Sequence, residues 1–228
     1  MTEERVFFQG DGRLEGMLGS PSADEATAVP RIKGGVVVAH PYPPHGATMD
    51  LPVVYRIAKS CRQRGFATLR FNFRSVGGSQ GSFSGTEEDR DVAAAVSFLA
   101  GELAAQGGER SEGLPLALAG YSFGSVMSAR AAADLAAVRA LVLVGFVVRW
   151  EHLPADTLDR LARYRGPLLA VCAENDDIGA PDDVRATLAR LGLDFSLEIV
   201  KGADHFLQGR HREVGEVVAA FVEEALEA

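Results

Sequence analysis

The sequence has little cysteine. Its two cysteines, Cys61 and Cys172, do not suggest a disulfide framework, and each lies in a stretch that reads as ordinary helix or strand. Positive charge is also short: 23 Lys and Arg stand against 31 Asp and Glu, for a net charge of −8. That balance gives no electrostatic reason to bind nucleic acid or an anionic membrane. No apolar run reaches the roughly eighteen residues that a membrane span needs. The opening residues, Met1 to Arg5, are polar and lack the apolar stretch of a signal peptide. Neither an internal repeat nor an inter-domain linker is visible. These absences lead us to expect a cytoplasmic protein, a monomer or homodimer, folded as one domain over residues 1–228.

What the sequence does have is a rhythm of short apolar runs and helical patterns. Arg5 to Gln9 and Leu14 to Leu18 flank Gly10-Asp11-Gly12, which predicts a hairpin. Residues 21–30 read as loop. Continuous apolar runs follow at Gly35–Ala39, Phe66–Phe73, Leu114–Ala119, Ala140–Val144, Leu168–Ala173 and Phe195–Val200. Such runs suit parallel strands covered on both faces. Helical patterns separate them at Leu51–Arg64, Glu87–Leu103, Phe123–Leu135, Pro154–Tyr164, Asp182–Leu191 and Arg212–Leu226. Alternation of this kind predicts βαβ units and a doubly wound, mostly parallel sheet, here with an antiparallel N-terminal hairpin. The polar, Gly-rich segment from residue 107 to residue 113 is short enough to be a surface loop.

Gly120-Tyr121-Ser122-Phe123-Gly124 lies between an apolar run and an alanine-rich helical pattern. A serine hydroxyl needs exposure, a base and oxyanion donors to act as a nucleophile. A sharp strand-to-helix turn flanked by glycines supplies the exposure. The same spacing occurs in Gly77-Gly78-Ser79-Gln80-Gly81, but Ser79 sits beyond its strand and more Gly and Ser follow, so that copy reads as loop. Context selects Ser122.

A base and an acid should follow in the order Asp or Glu, then His. Of the five histidines, His205 lies directly after the last strand run, whereas His211 enters the polar start of the final helix. Catalytic groups of open α/β sheets gather at the C-terminal ends of strands, which favours His205. Glu174-Asn175-Asp176-Asp177 follows the preceding strand, and spacing leaves Asp176 and Asp177 both open as the acid. Glu174 is nearer the strand end and expected to point away. Asp204 adjoins His205 in sequence, and such a neighbour seldom reaches the ring Nδ1.

For the oxyanion, the backbone N–H of Phe123 is one candidate donor. The loop His40-Pro41-Tyr42-Pro43-Pro44-His45-Gly46 offers a second, the N–H of Tyr42, because its prolines have none to give. His40 and His45 suggest a metal pair only weakly, with no third ligand nearby, so neither metal nor cofactor is expected. Phe146, Val147 and Trp150, together with Tyr42, Phe123 and Val148, are candidates to line an apolar acyl pocket.

These motifs resemble those of small bacterial α/β-hydrolases related to dienelactone hydrolase. The similarity is carried by His40-Pro41-Tyr42-Pro43 with Gly46 and Met49, by Arg70-Phe71-Asn72-Phe73-Arg74 with Val76-Gly77 and Ser79, and by the segments around Ser122, Asp176 and His205. It spans most of the chain from Gly35 onward. The resemblance implies a carboxylesterase-like enzyme without a large cap, with Ser122, Asp176 and His205 as its triad, and Asp176 rather than Asp177. Dienelactone hydrolases proper use cysteine as nucleophile, so the serine here argues against dienelactone as substrate. The expected activity is hydrolysis of small acyl esters through an acyl-enzyme. Thioester or amide hydrolysis with the same machinery is the first alternative. A non-catalytic binding protein on the scaffold is the second, but it would be expected to lack a triad member. Phosphate binding through Gly77 to Gly85 fails for want of a Gly-Lys-Ser/Thr ending.

Overall fold

A computed structural model describes residues 2–21, 32–106 and 113–227. The expected loop over 21–30 and the Gly-rich segment 107–113 fall almost wholly outside the described residues. The strands are β1 (Thr2–Gln9), β2 (Arg13–Ser20), β3 (Gly35–Ala39), β4 (Ala67–Phe71), β5 (Leu116–Tyr121), β6 (Val138–Val144), β7 (Leu168–Ala173) and β8 (Ser196–Val200). They form one eight-stranded sheet in the order β1-β2-β4-β3-β5-β6-β7-β8. β1 pairs with β2, and β2 with β4, antiparallel. All other pairings are parallel.

The apolar runs are continuous because the sheet is covered on both faces. Successive side chains of a strand point to opposite faces, and the core divides accordingly. Val37, Leu118 and Leu143 meet helices α2 (Asp89–Gln106), α3 (Phe123–Ala131), α4 (Thr157–Leu161) and α5 (Pro181–Arg190). Val36, Ala119 and Val144 meet α1 (Pro52–Gln63) and α6 (His211–Glu227) on the other side. Proline occupies the first turn of α1 and of α5, where a missing N–H costs nothing. Phe8 of the hairpin stacks on Phe98 of α2 at 4.9 Å, which ties the antiparallel edge to the core.

Three boundaries differ from expectation. The β4 strand ends at Phe71, because Asn72 turns its side chain inward. There it accepts the Met49 N–H and donates to Glu15, while its own N–H bonds the Glu15 carbonyl. The pattern Pro154–Tyr164 yields only the short α4, with turns on either side. The helix after Ser122 tightens into a 3₁₀ turn over Ala132–Asp134 rather than running to Leu135 as α-helix. The connection between β6 and β7 contains only α4, so no lid domain covers the C-terminal end of the sheet among the described residues. No helix of the described residues is long and apolar enough to cross a membrane.

Candidate active site

Ser122 stands on the turn between β5 and α3, with φ 55° and ψ −117°. A non-glycine residue at positive φ is strained, and two glycines make the strain tolerable. A Cβ on Gly120 would collide with the backbone of Gly124 and come within 2.6 Å of the Ser125 nitrogen. A Cβ on Gly124 would come within 2.6 Å of the His40 carbonyl oxygen and closer still to that of Ala39. The two glycines let α3 start directly against the end of β3, which lifts the half-buried Ser122 hydroxyl to the C-terminal edge of the sheet.

Two loops build the hydrogen-bonded run behind that hydroxyl. Ser122 Oγ lies 2.9 Å from His205 Nε2, in the loop after β8. His205 Nδ1 lies 2.7 Å from Asp176 Oδ2, in the loop after β7. The Asp176 side chain is fully buried and His205 is 14% exposed. The other Asp176 oxygen accepts the N–H groups of Ile178 at 3.0 Å and Gly179 at 2.8 Å. Burial alone would raise the Asp176 carboxyl. The hydrogen bond and charge of His205, with those two N–H groups, outweigh it and hold the group below its ordinary value. An ionised Asp176 can only accept, so the proton on Nδ1 belongs to histidine, and Nε2 is left to accept from the Ser122 hydroxyl.

The neighbouring acids are placed elsewhere. Asp177 is exposed. Glu174 turns outward to Lys201 and to the Gly202 N–H. Asp204 accepts the Phe206 N–H. Ser79, in the second copy of the spacing, is buried in a structural joint: its Oγ accepts the Glu15 N–H at 2.9 Å and donates to the Asn72 carbonyl at 2.7 Å.

Comparison with known proteins identifies the family. Residues 32–227 match the family model described as the alpha/beta hydrolase domain. A structure of an alpha-beta serine hydrolase homologue from Coxiella burnetii superposes with a TM-score of 0.80. It is 31% identical, over 96% of this chain and 97% of that one. The chain belongs to the alpha/beta hydrolase family. A lidless α/β serine hydrolase from Xanthomonas campestris superposes with the same TM-score, 0.80, at 26% identity, over 100% of this chain and 97% of that one. An uncharacterized protein of Rickettsia prowazekii is 28% identical over 94% of this chain and 86% of its own length.

In this α/β-hydrolase the Ser122 and His205 side chains open onto a cleft of about 870 Å³, with Asp176 buried behind them. Tyr42, Phe123, Val147 and Trp150 line it. Phe146 does not, and that expectation is corrected. Gly145 takes a left-handed turn at φ 54°, and the next residue drops, fully buried, into the core beside Phe123 and Leu143. Val148 is corrected likewise; it faces a separate small recess beside α5 with Arg149 and Asp183. Among the described residues, neither the Tyr42 nor the Phe123 N–H has a hydrogen-bond partner.

His40 is fully buried, and both its ring nitrogens are occupied. Nε2 accepts the Phe73 N–H at 3.1 Å and Nδ1–H donates to the Pro41 carbonyl at 2.6 Å. Burial lowers its pKa to about 4. The ring is a neutral brace between the ends of β3 and β4. Among the described residues no group of three or more His, Cys, Asp or Glu is placed to hold a metal ion.

Three contributors escaped the sequence. The Tyr121 hydroxyl donates to the His205 carbonyl at 2.8 Å, fixing the loop that carries the histidine. Burial, together with Asp176 and Asp204 nearby, raises this hydroxyl's pKa, so it stays a donor. Its position beside the serine was visible in the pentapeptide, but nothing in the spacing shows which backbone it reaches. Ile178 and Phe206, two residues from Asp176 and one from His205, are exposed on the cleft rim.

Proposed function

We propose that this protein is a serine hydrolase that cleaves small carboxylic esters through an acyl-enzyme formed on Ser122. One observation carries the reading: the hydrogen-bonded run from Ser122 Oγ through His205 to the buried Asp176, opening on an apolar cleft. In the first half-reaction Ser122 Oγ attacks the ester carbonyl carbon while His205 Nε2 takes its proton. Asp176 keeps the imidazole in the reactive tautomer and stabilises the imidazolium that forms. The carbonyl oxygen becomes an oxyanion, held by the N–H groups of Phe123 and Tyr42. The first lies at the N-terminus of α3, whose dipole favours negative charge, and the second is held by flanking prolines. The intermediate collapses as His205 returns the proton to the departing alcohol. Water, deprotonated by the same histidine, then attacks the acyl-serine; as the acyl–Oγ bond breaks, His205 returns that proton to Ser122 Oγ and the acid leaves. Among the described residues no lid covers the cleft, which suits small substrates and ready access of water.

The test pairs turnover of short 4-nitrophenyl esters with labelling by a fluorophosphonate. Wild type should turn over ester and label, and Ser122→Ala should do neither. A folded wild type that neither labels nor hydrolyses any ester would defeat the reading.

A further inference from the structure

The cleft also bears on which esters fit. No lysine or arginine lines it, and Glu151 is its only residue with a fixed charge among the described residues. Of the basic residues next in sequence to lining residues, Arg149 pairs with Asp183 at 2.6 Å and Arg210 with Glu213 at 3.6 Å, while Arg212 is exposed at the start of α6 and is not among the residues that line the cleft. One wall is aromatic. Tyr42, Phe123 and Trp150 stand edge-to-face to one another, with ring centroids 5.6 Å, 5.4 Å and 5.9 Å apart. This arrangement favours a further ring packed edge or face against it.

The chemistry sets which end of the substrate meets that wall. The leaving oxygen has to reach His205 Nε2, so the alcohol portion departs over His205 and past Phe206, whose ring is 66% exposed at the rim. The carbonyl's other substituent then points away from His205, toward the aromatic wall beside the proposed oxyanion donors.

We propose that the preferred substrate carries an uncharged, bulky apolar acyl group, best an arylalkyl group seated against Tyr42, Phe123 and Trp150, and that acyl groups bearing a carboxylate are rejected. This rests on the serine-hydrolase reading above. A carboxylate drawn to that wall loses its water and gains no cationic partner, and the chain's net charge of −8 adds repulsion. Discrimination here comes from what the wall lacks as much as from what it offers.

The experiment measures kcat/KM for three 4-nitrophenyl esters with the same leaving group: acetate, 3-phenylpropanoate and 3-(4-carboxyphenyl)propanoate. The remote carboxylate cannot assist hydrolysis from within the molecule. The assay is run at pH 8, above the ordinary range of imidazole titration, because His45, His152 and His211 also line the cleft. We expect the phenylpropanoate to exceed the acetate at least tenfold, and the carboxylated ester to fall at least tenfold below the phenylpropanoate. Trp150→Ala, with Trp150→Leu as a second variant, should shrink the phenylpropanoate-to-acetate ratio at least fivefold. Equal rates for the charged and uncharged aryl esters, an acetate preference, or a ratio unmoved by both Trp150 variants would overturn the inference. If acetate is hydrolysed and Ser122 labels while these preferences are missing, the substrate inference alone fails. If no ester is hydrolysed and Ser122 takes no fluorophosphonate, the serine-hydrolase reading fails and takes this inference with it.

Discussion

Adding one carbon at Gly124 should damage this protein, while the same carbon at Gly101 should help it. At Gly124 the new Cβ would stand within 2.6 Å of the His40 carbonyl oxygen and closer to that of Ala39, both backbone atoms at the end of a central strand. Overpacking costs about 1–3 kcal/mol where side chains can give way. Here the obstacle is backbone, so we place Gly124→Ala at about 3 kcal/mol, the upper end of that range. For a chain of this size each kcal/mol moves Tm by about 2–4 °C, so the fall should be about 6–12 °C. The displaced turn should also slow labelling of Ser122 by a fluorophosphonate. Gly101, in the exposed face of α2, has nothing within 4 Å of its would-be Cβ. There alanine gains about 1 kcal/mol of helix propensity and should raise Tm by about 2–4 °C. Thermal unfolding of both variants, with labelling rates, decides the matter. If Gly124→Ala melts within 2 °C of wild type (about the resolution such a comparison needs) and labels at the same rate, the close-approach argument is wrong. If Gly101→Ala loses as much as Gly124→Ala, the loss has nothing to do with the elbow.

Three further outcomes follow from the same contacts. Asp176→Asn should keep the fold yet lower kcat by about 10⁴, because the amide favours the wrong histidine tautomer; steady-state kinetics beside an unchanged circular dichroism spectrum checks this. Ser79→Ala should retain esterase activity but lose about 1–3 kcal/mol of stability in urea, since the Glu15 N–H and the Asn72 carbonyl lose their buried partner; loss of activity in a folded variant would revive the rival serine. His40 has a folded-state pKa of about 4, below its unfolded value. The unfolded chain therefore binds the extra proton first, and stability should fall as pH drops from about 6.5, by roughly 2 kcal/mol at pH 5. Urea titrations of wild type and His40→Gln across that window should show the slope in the first and its loss in the second.

The fold was legible because both faces of the sheet are covered. Continuous runs such as Gly35–Ala39 have no polar face to interrupt them, and helical patterns stand between them. Boundaries were less legible where a side chain rather than a propensity ends the element, as Asn72 does for β4. The residues now found within hydrogen-bond reach of one another were legible by their order behind successive strands, and the structure places Asp176, not Asp177, against His205. The cleft was legible only in part. Phe146 and Val147 are equally apolar in sequence, and only the left-handed turn at Gly145 decides that the first is core and the second is wall. Tyr121 was hidden for a similar reason: its partner is a backbone carbonyl 84 residues away.

In the proposed reaction Ser122 carries the acyl group during turnover. The direct measurement is intact-mass spectrometry of the protein quenched in acid during turnover of a slowly released ester, followed by peptide mapping. A single acyl adduct is expected on the peptide holding Ser122, and none in Ser122→Ala. An adduct on Ser79 or another residue, or steady turnover by Ser122→Ala at the wild-type rate, would contradict it.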